Sequence, residues 1–204
     1  MKHGVIRDAL LLAAGASATL VCAWLRAQWR RGRAFAASPP ATAPCCSRDL
    51  FCVRECTAAD LSTLRELEQG VVAAERPLSP MIRADGVTYY DLEQLICEDT
   101  SRLLVVEESA TGEAVATGYL SIRKSKPSKT HSHHGYLGFM FVVPRLRGQG
   151  LNRLVMDRLI TWGQSQGVEH FYLDVYSDNV PAVRAYEKAG FSKLHYEMHA
   201  QLPK

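Results

Sequence analysis

The stretch Tyr136–Asn152, YLGFMFVVPRLRGQGLN, constrains this chain more than any other. Tyr136 to Val143 is short and almost wholly apolar, the mark of a buried strand. Pro144 cannot donate to a sheet ladder and so ends it. Arg145, Arg147, Gly148 and Gly150 follow, and Leu151, Val155, Leu159 and Trp162 then recur at helical spacing. A strand that passes through a glycine-punctuated turn into a helix aims unpaired backbone N–H groups, a positive dipole end and two arginines at one spot. That spot suits phosphate. The turn lacks the Lys-Ser/Thr of a nucleotide-triphosphate loop and the three-glycine spacing of a dinucleotide fingerprint, which excludes both. An ordinary turn with solvated arginines is the plain alternative.

A second pattern lies downstream. Glu169 to Tyr176 alternates, with Phe171, Leu173 and Val175 on one face of a predicted strand. Ser177, Asp178 and Asn179 form a capping cluster, and Pro181 stands just inside the next helix. That helix carries Ala182, Val183 and Tyr186 and closes at Gly190, and Phe191 begins another extended segment. Arg145-x-x-Gly148-x-Gly150 resembles the coenzyme A loop of the GNAT-type N-acetyltransferases, which reads Gln/Arg-x-x-Gly-x-Gly/Ala. The string NVPAVRAYEKAGF, starting at Asn179, is similar to the family's second signature, Asn-x-x-Ala-x-x-x-Tyr-x-x-x-Gly-Phe.

The resemblance implies an α/β fold: a GNAT-like mixed, central splayed β-sheet flanked by helices, over residues 51–204. It implies an acetyltransferase that carries acetyl from acetyl-CoA to a primary amine by direct attack in a ternary complex. Beside Phe141 and Val142 an open sheet edge would pair with the pantetheine arm as a pseudo-strand. Arg145 opens the motif. The pyrophosphate would fall on the N–H groups from Arg147 through Gly148, Gln149, Gly150 and Leu151 to Asn152. Asn179 would help to fix the coenzyme, and it suits a helix cap equally well. Tyr186 would donate a proton to the departing sulfur, and a phenol stays protonated well above neutral pH. Packing as a core aromatic is its other reading.

Two departures matter. Many family members carry a glutamate on the central strand that activates the amine through water, and the corresponding place here is Tyr136 or its neighbour. No carboxylate stands between Glu113 and Asp157. The base must come from elsewhere, and His134 is the first choice because histidine titrates near neutrality. His133, Asp174 and Tyr119 are alternatives. The second departure is Asn152, where the family often has glycine or alanine; an asparagine amide could donate to phosphate instead. The missing strand carboxylate keeps a rival reading open, a catalytically degenerate module that binds coenzyme A as a sensor or scaffold.

Other segments fit an α/β domain. Thr57-x-x-Asp60 is a variant capping box before a helix with Leu61, Leu64, Leu67 and Glu68. A loop with Pro77, Pro80, Asp85 and Gly86 leads to a short helix around Tyr90–Ile96. Arg102–Glu107 and Ala114–Ile122 are strand-like, joined in a hairpin at Thr111-Gly112. In the family the first two helices and their loop shape the acceptor pocket. Arg76 and Arg83 would suit a carboxylate there, and Asp85, Asp91, Tyr89 and Tyr90 an ammonium group. The acceptor is a small-molecule or peptide amine. The loop Lys124–His134, KSKPSKTHSHH, is too polar for a core; its histidines lack a cysteine or carboxylate at ligand spacing, so no metal is expected.

The N-terminus reads differently. Ala9 to Leu25 is a run of about 17 apolar or small residues, near the lower limit for a membrane span. Arg26, Arg30, Arg31 and Arg33 follow it, which would leave the folded domain on the cytoplasmic side. Residues 1–33 therefore read as a membrane anchor or an organellar transit peptide. Membrane association and a cytoplasm-facing or mitochondrial matrix location are the corresponding expectations. Residues 34–50, rich in proline and alanine, read as a linker. Six cysteines include no Cys-x-x-Cys pair, and a net charge of +3 without interleaved aromatics gives no nucleic-acid surface.

Overall fold

The computed structural model describes residues 50–202. Five strands lie in sequence order in one sheet: β1 (Phe51–Glu55), β2 (Ser101–Glu108), β3 (Ala114–Lys124), β4 (His133–Val142) and β5 (Phe171–Leu173). β1 to β4 pair antiparallel, and β5 joins β4 in parallel. Among the described residues four helices flank the sheet: α1 (Leu61–Glu75), α2 (Leu92–Cys97), α3 (Leu151–Ser165) and α4 (Val180–Lys188). This is the mixed α/β architecture that the resemblance implies.

Strand periodicity divides the core. Leu103 and Val105 of β2 point to one face, where they meet Leu64, Leu67 and Val71 of α1 and Leu92 of α2. Leu104 and Val106 point to the other, against Leu151, Val155, Met156 and Leu159 of α3. Leu64, Leu92, Val155 and Leu159 are fully buried. Truncating one such leucine to alanine costs roughly 2–5 kcal/mol. At the entry to α1 the Thr57 N–H donates to Asp60 Oδ2 at 2.7 Å. Arg54 on β1 ties Asp60 to Glu107 on β2.

A bulge in β4 changes which side chains face each layer. Tyr119 faces Gly138, yet Thr117 faces Phe141, so β4 carries one more residue than β3 across that interval. Before the bulge Tyr136 lies on the α1 side and Leu137 on the α3 side. After it the parity reverses, with Phe139 and Phe141 toward α1 and Met140 and Val142 toward α3. The extra residue is absorbed at Phe139, whose φ of 54° is the left-handed region that a bulky side chain avoids. Such a backbone costs roughly 1–3 kcal/mol. Burial of Phe139 and its stack on Tyr90, with centroids 4.7 Å apart, offset it.

Several sequence-based expectations change. The strand expected over Glu169–Tyr176 is only Phe171–Leu173, because pairing with β4 ends at Leu137 opposite Leu173. Beyond that point the chains separate, and the Asp174 side chain takes a hydrogen bond from Tyr136 Oη at 2.8 Å. No strand forms after Phe191 among the described residues; Leu194, Tyr196 and Met198 stay exposed. The short helix begins at Leu92 rather than near Tyr90, since Asp91 caps it by accepting from the Gln94 N–H at 2.9 Å. The polar loop is also shorter than expected, because β3 runs to Lys124 and β4 starts at His133. The segment 1–33 and the linker up to residue 49 lie outside the described residues. Among the described residues no helix is long and apolar enough to cross a membrane. Cys52 and Cys56 are free thiols.

Candidate active site

The separation of β4 from β5 leaves Gly138–Val142 paired with β3 on one side only. The backbone of that stretch can receive an extended ligand arm as an added strand. β4 ends at Val142, and a short 3-10 turn, Pro144–Leu146, carries the chain to the N-terminus of α3. Here Gly148 and Gly150 have φ of 79° and 85°, conformations that only glycine adopts without strain. A Cβ built on either would meet no atom within 4 Å, so the turn faces open space.

This helix start differs from those of α2 and α4. Asn179 Oδ1 caps α4 by accepting from the Ala182 N–H at 3.3 Å, and Asp91 caps α2. No side chain caps α3, whose N-cap is Gly150. Its first N–H groups therefore point outward at the positive end of a 15-residue helix. Gln149 is exposed and Asn152 half-buried beside them. Open donors at a helix dipole, next to a half-unpaired strand, fit the pyrophosphate and pantetheine arm of coenzyme A.

The two arginines of the motif part company. Arg145 reaches back to Glu113 at 2.7 Å and Glu108 at 3.2 Å, bracing the β2–β3 hairpin. Arg147 donates from Nε to the Val142 carbonyl at 3.2 Å and leans toward the Phe141 ring at 5.9 Å. It makes no ion pair among the described residues. Phe141 itself turns inward, 8% exposed, its ring against Gly70 of α1. Val142 is half-buried on the opposite face.

Where β4 and β5 diverge lies a cleft of about 1330 Å³. Tyr186 of α4 lines it, half-buried, its ring edge-on to Phe191 at 6.3 Å. Burial, with the Glu75 carboxylate nearby, pushes its hydroxyl up to about 12. The phenol thus holds its proton throughout the physiological range.

The facing wall is aromatic. Tyr90 stacks on Phe139 and meets Tyr119 edge-on at 5.7 Å and Tyr89 at 5.9 Å. The guanidinium of Arg123 covers the Tyr136 ring at 3.7 Å. Gly138 is required here: an added Cβ would sit 2.6 Å from the Tyr119 ring. What holds this wall is Glu68, fully buried on α1. Its Oε1 accepts from the backbone N–H of Tyr89 at 2.6 Å and of Tyr90 at 2.9 Å. Arg65 pairs with its other oxygen at 3.3 Å. A buried carboxylate with those partners pins a loop that has no secondary structure of its own.

Two turns further on, Glu75 ends α1 and enters the cleft, half-buried. Burial pushes its carboxyl up, only partly offset by the Tyr89 hydroxyl. That hydroxyl approaches Glu75 without completing a well-formed hydrogen bond and is buried with no other partner. Asp174 lines the same cleft from the exit of β5, exposed and held by Tyr136. Sequence reading placed Glu68 on the helix without a role and passed over Glu75. Both fall in the stripe Leu64, Leu67, Glu68, Val71, Val72, Glu75 that repeats at helical spacing. An acid inside an apolar stripe was the available signal.

His134 stands at the start of β4, outside the residues that line the cleft. Its Nδ1 bonds Ser125 Oγ at 2.9 Å, and its ring meets Tyr172 edge-on at 4.9 Å. His131 stacks on His170 nearby at 3.9 Å, and His133 is exposed beside Ser132. Among the described residues no group of three His, Cys, Asp or Glu is placed to hold a metal ion. Of the acceptor candidates, Tyr90 lines the cleft and Tyr89 packs edge-on against it. Asp91 is spent as a cap, Arg76 bonds the Arg83 carbonyl at 2.8 Å, and Asp85 is exposed.

Residues 70–191 match the profile of the Acetyltransferase (GNAT) family. Streptothricin acetyltransferase of Streptomyces lavendulae is 35% identical over 51 residues, which cover 25% of this chain and 27% of that protein. The chain spans little more than a quarter of the length of the curated relatives it matches. Solved structures extend the likeness. The BH1408 protein of Bacillus halodurans, solved as a tetramutant, superposes with a TM-score of 0.65 at 22% identity, over 74% of this chain and 99% of that one. A predicted acetyltransferase of Clostridium acetobutylicum, solved with acetyl-CoA, gives 0.59 at 17% identity, over 74% and 96%. At those identities the likeness is one of fold.

Proposed function

The chain belongs to the Acetyltransferase (GNAT) family, and we propose that it transfers the acetyl group of acetyl-CoA directly to a primary amine. The observation that carries this reading is the half-unpaired stretch of β4, which leads from the uncapped start of α3 to Gly138–Met140, where it lines the same cleft as Tyr186. The N–H groups at the start of α3 hold the pyrophosphate, with Arg147 beside them. The free edge of Gly138–Val142 takes the pantetheine arm, which carries the thioester toward the point where β4 and β5 part. Acetyl-CoA supplies the activated acyl group. Tyr186 gives its proton to the leaving sulfur, and Asn179 orders α4 so that Tyr186 faces the cleft.

A retained acid at the end of the coenzyme path favours turnover over passive binding, since a sensor has no need to protonate sulfur. For Tyr186→Phe the expected behaviour is unchanged acetyl-CoA affinity, with turnover lower by roughly tenfold to a hundredfold or more, as for loss of a general acid. Thiol release across a panel of primary amines, paired with calorimetry of coenzyme binding, checks both halves. Wild-type turnover in that variant would remove Tyr186 from the reaction.

A further inference from the structure

The cleft contains a base that the family's strand position lacks. We propose that Glu75 takes the proton from the acceptor's ammonium group, so that the acceptor enters as a cation against the wall of Tyr90, Tyr119 and Tyr136. This rests on the acetyl-transfer reading given above.

Three placements support it. Glu75 and Tyr186 line the same cleft from opposite elements, α1 and α4, and are close enough for the carboxylate to disfavour loss of the Tyr186 proton. A base on one side and an acid on the other is the arrangement that an amine crossing to a thioester requires. Second, Glu75 has no cationic partner: no ion pair to it forms among the described residues, unlike Glu68, Glu107, Glu108 and Glu113. Third, its neighbours suit a cation. Tyr90 and Tyr186 line the cleft with it, from the loop and from α4, and the buried Tyr89 hydroxyl approaches it from behind Tyr90. Arg76 and Tyr176 are the other titratable groups around that hydroxyl. Phenol faces attract ammonium groups.

His134 is less suited, because its ring serves Ser125 and Tyr172 outside the cleft. Asp174 shares the cleft, but its carboxylate is exposed and already accepts from Tyr136. Burial favours the protonated form of Glu75 and so strengthens it as a base once ionised.

The step balances. Glu75 takes one proton from the ammonium, and the freed lone pair forms the C–N bond as the C–S bond breaks. The thiolate takes the Tyr186 proton. The second nitrogen proton returns through water to the Tyr186 phenolate, and Glu75 releases its own to solvent. Ammonium and thioester thus give amide, thiol and one proton.

The test uses the full chain and two variants, Glu75→Gln and Glu75→Asp, with spermidine, kanamycin and tyramine as probe amines. Glu75→Gln should keep the acetyl-CoA-induced rise in Tm and lose roughly tenfold to a hundredfold in kcat/KM. The acid limb of its pH profile should flatten, and Glu75→Asp should restore part of the rate. An unchanged pH profile would overturn the proposal, as would loss of the acetyl-CoA response, which marks a structural role. A second readout needs no turnover. In glutamate-labelled protein the carbon-13 signal missing from Glu75→Gln should titrate above the ordinary carboxylate range and move on adding spermidine. A signal that titrates ordinarily and ignores spermidine would also overturn it. A wild-type protein whose Tm ignores acetyl-CoA would instead defeat the coenzyme reading, with the Glu75 titration still deciding this one.

Discussion

The start of α3 offers bare backbone, whereas the cleft between α1 and β4 is walled by side chains gathered from four segments. The coenzyme end depends on two left-handed glycines, an absent helix cap and a strand that loses its neighbour. Each of these is local in sequence. The acceptor end depends on Glu68 and Glu75 of α1, the loop tyrosines 89 and 90, Tyr119 of β3, and Tyr136 and Phe139 of β4. Those residues meet only after the sheet has formed. The difference explains why one end can be written as a short motif and the other cannot. It also locates specificity, since a backbone cradle holds any molecule with the same phosphates while a side-chain wall changes with each substitution.

The comparison breaks most readily at the cradle. Gly148→Glu places a side chain on a backbone with φ of 79° and a negative charge where the pyrophosphate is proposed to sit. Acetyl-CoA affinity should fall about a hundredfold or more by calorimetry, while circular dichroism reports an intact fold. Normal affinity would show that the turn does not hold the coenzyme.

A mid-sized effect is expected at the wall. Gly138→Ala drives a methyl group into the Tyr119 ring, an overpacking that typically costs about 1–3 kcal/mol. It should raise KM for the amine several-fold and lower Tm, with the acetyl-CoA affinity changed far less. Equal losses for both substrates would mean that the two ends are not separable.

The smallest effect distinguishes the arginines. Arg147→Ala should weaken acetyl-CoA binding by roughly threefold to tenfold, less at high salt, as for an exposed charge. Arg145→Ala should change it by less than about twofold, because its guanidinium already serves Glu108 and Glu113. The reverse order would show that Arg145 leaves those carboxylates for the phosphate.

How far the sequence could be read follows the same division. Strand, glycine turn and helix over Tyr136–Asn152 were legible because alternation, proline and glycine act locally, and α3 runs over Leu151–Ser165 as its spacing predicts. The capped helix with Tyr186 was legible for the same reason. The bulge at Phe139 was not, since YLGFMFVV is apolar at almost every position and no alternation survives to reveal a change of face. The early end of β5 was missed because Val175 continues the pattern after the partner strand has diverged. Glu75 was missed because nothing near it in sequence says that Tyr89 and Tyr186 will stand beside it.

We propose that the open start of α3 and the free edge of β4 together hold acetyl-CoA. It is tested most directly by the Tm of the full chain with and without millimolar acetyl-CoA. A ligand present at one hundred times its Kd adds about 2.7 kcal/mol to stability, so a rise of several degrees is expected. A cooperative melt at the same temperature in both samples would contradict it.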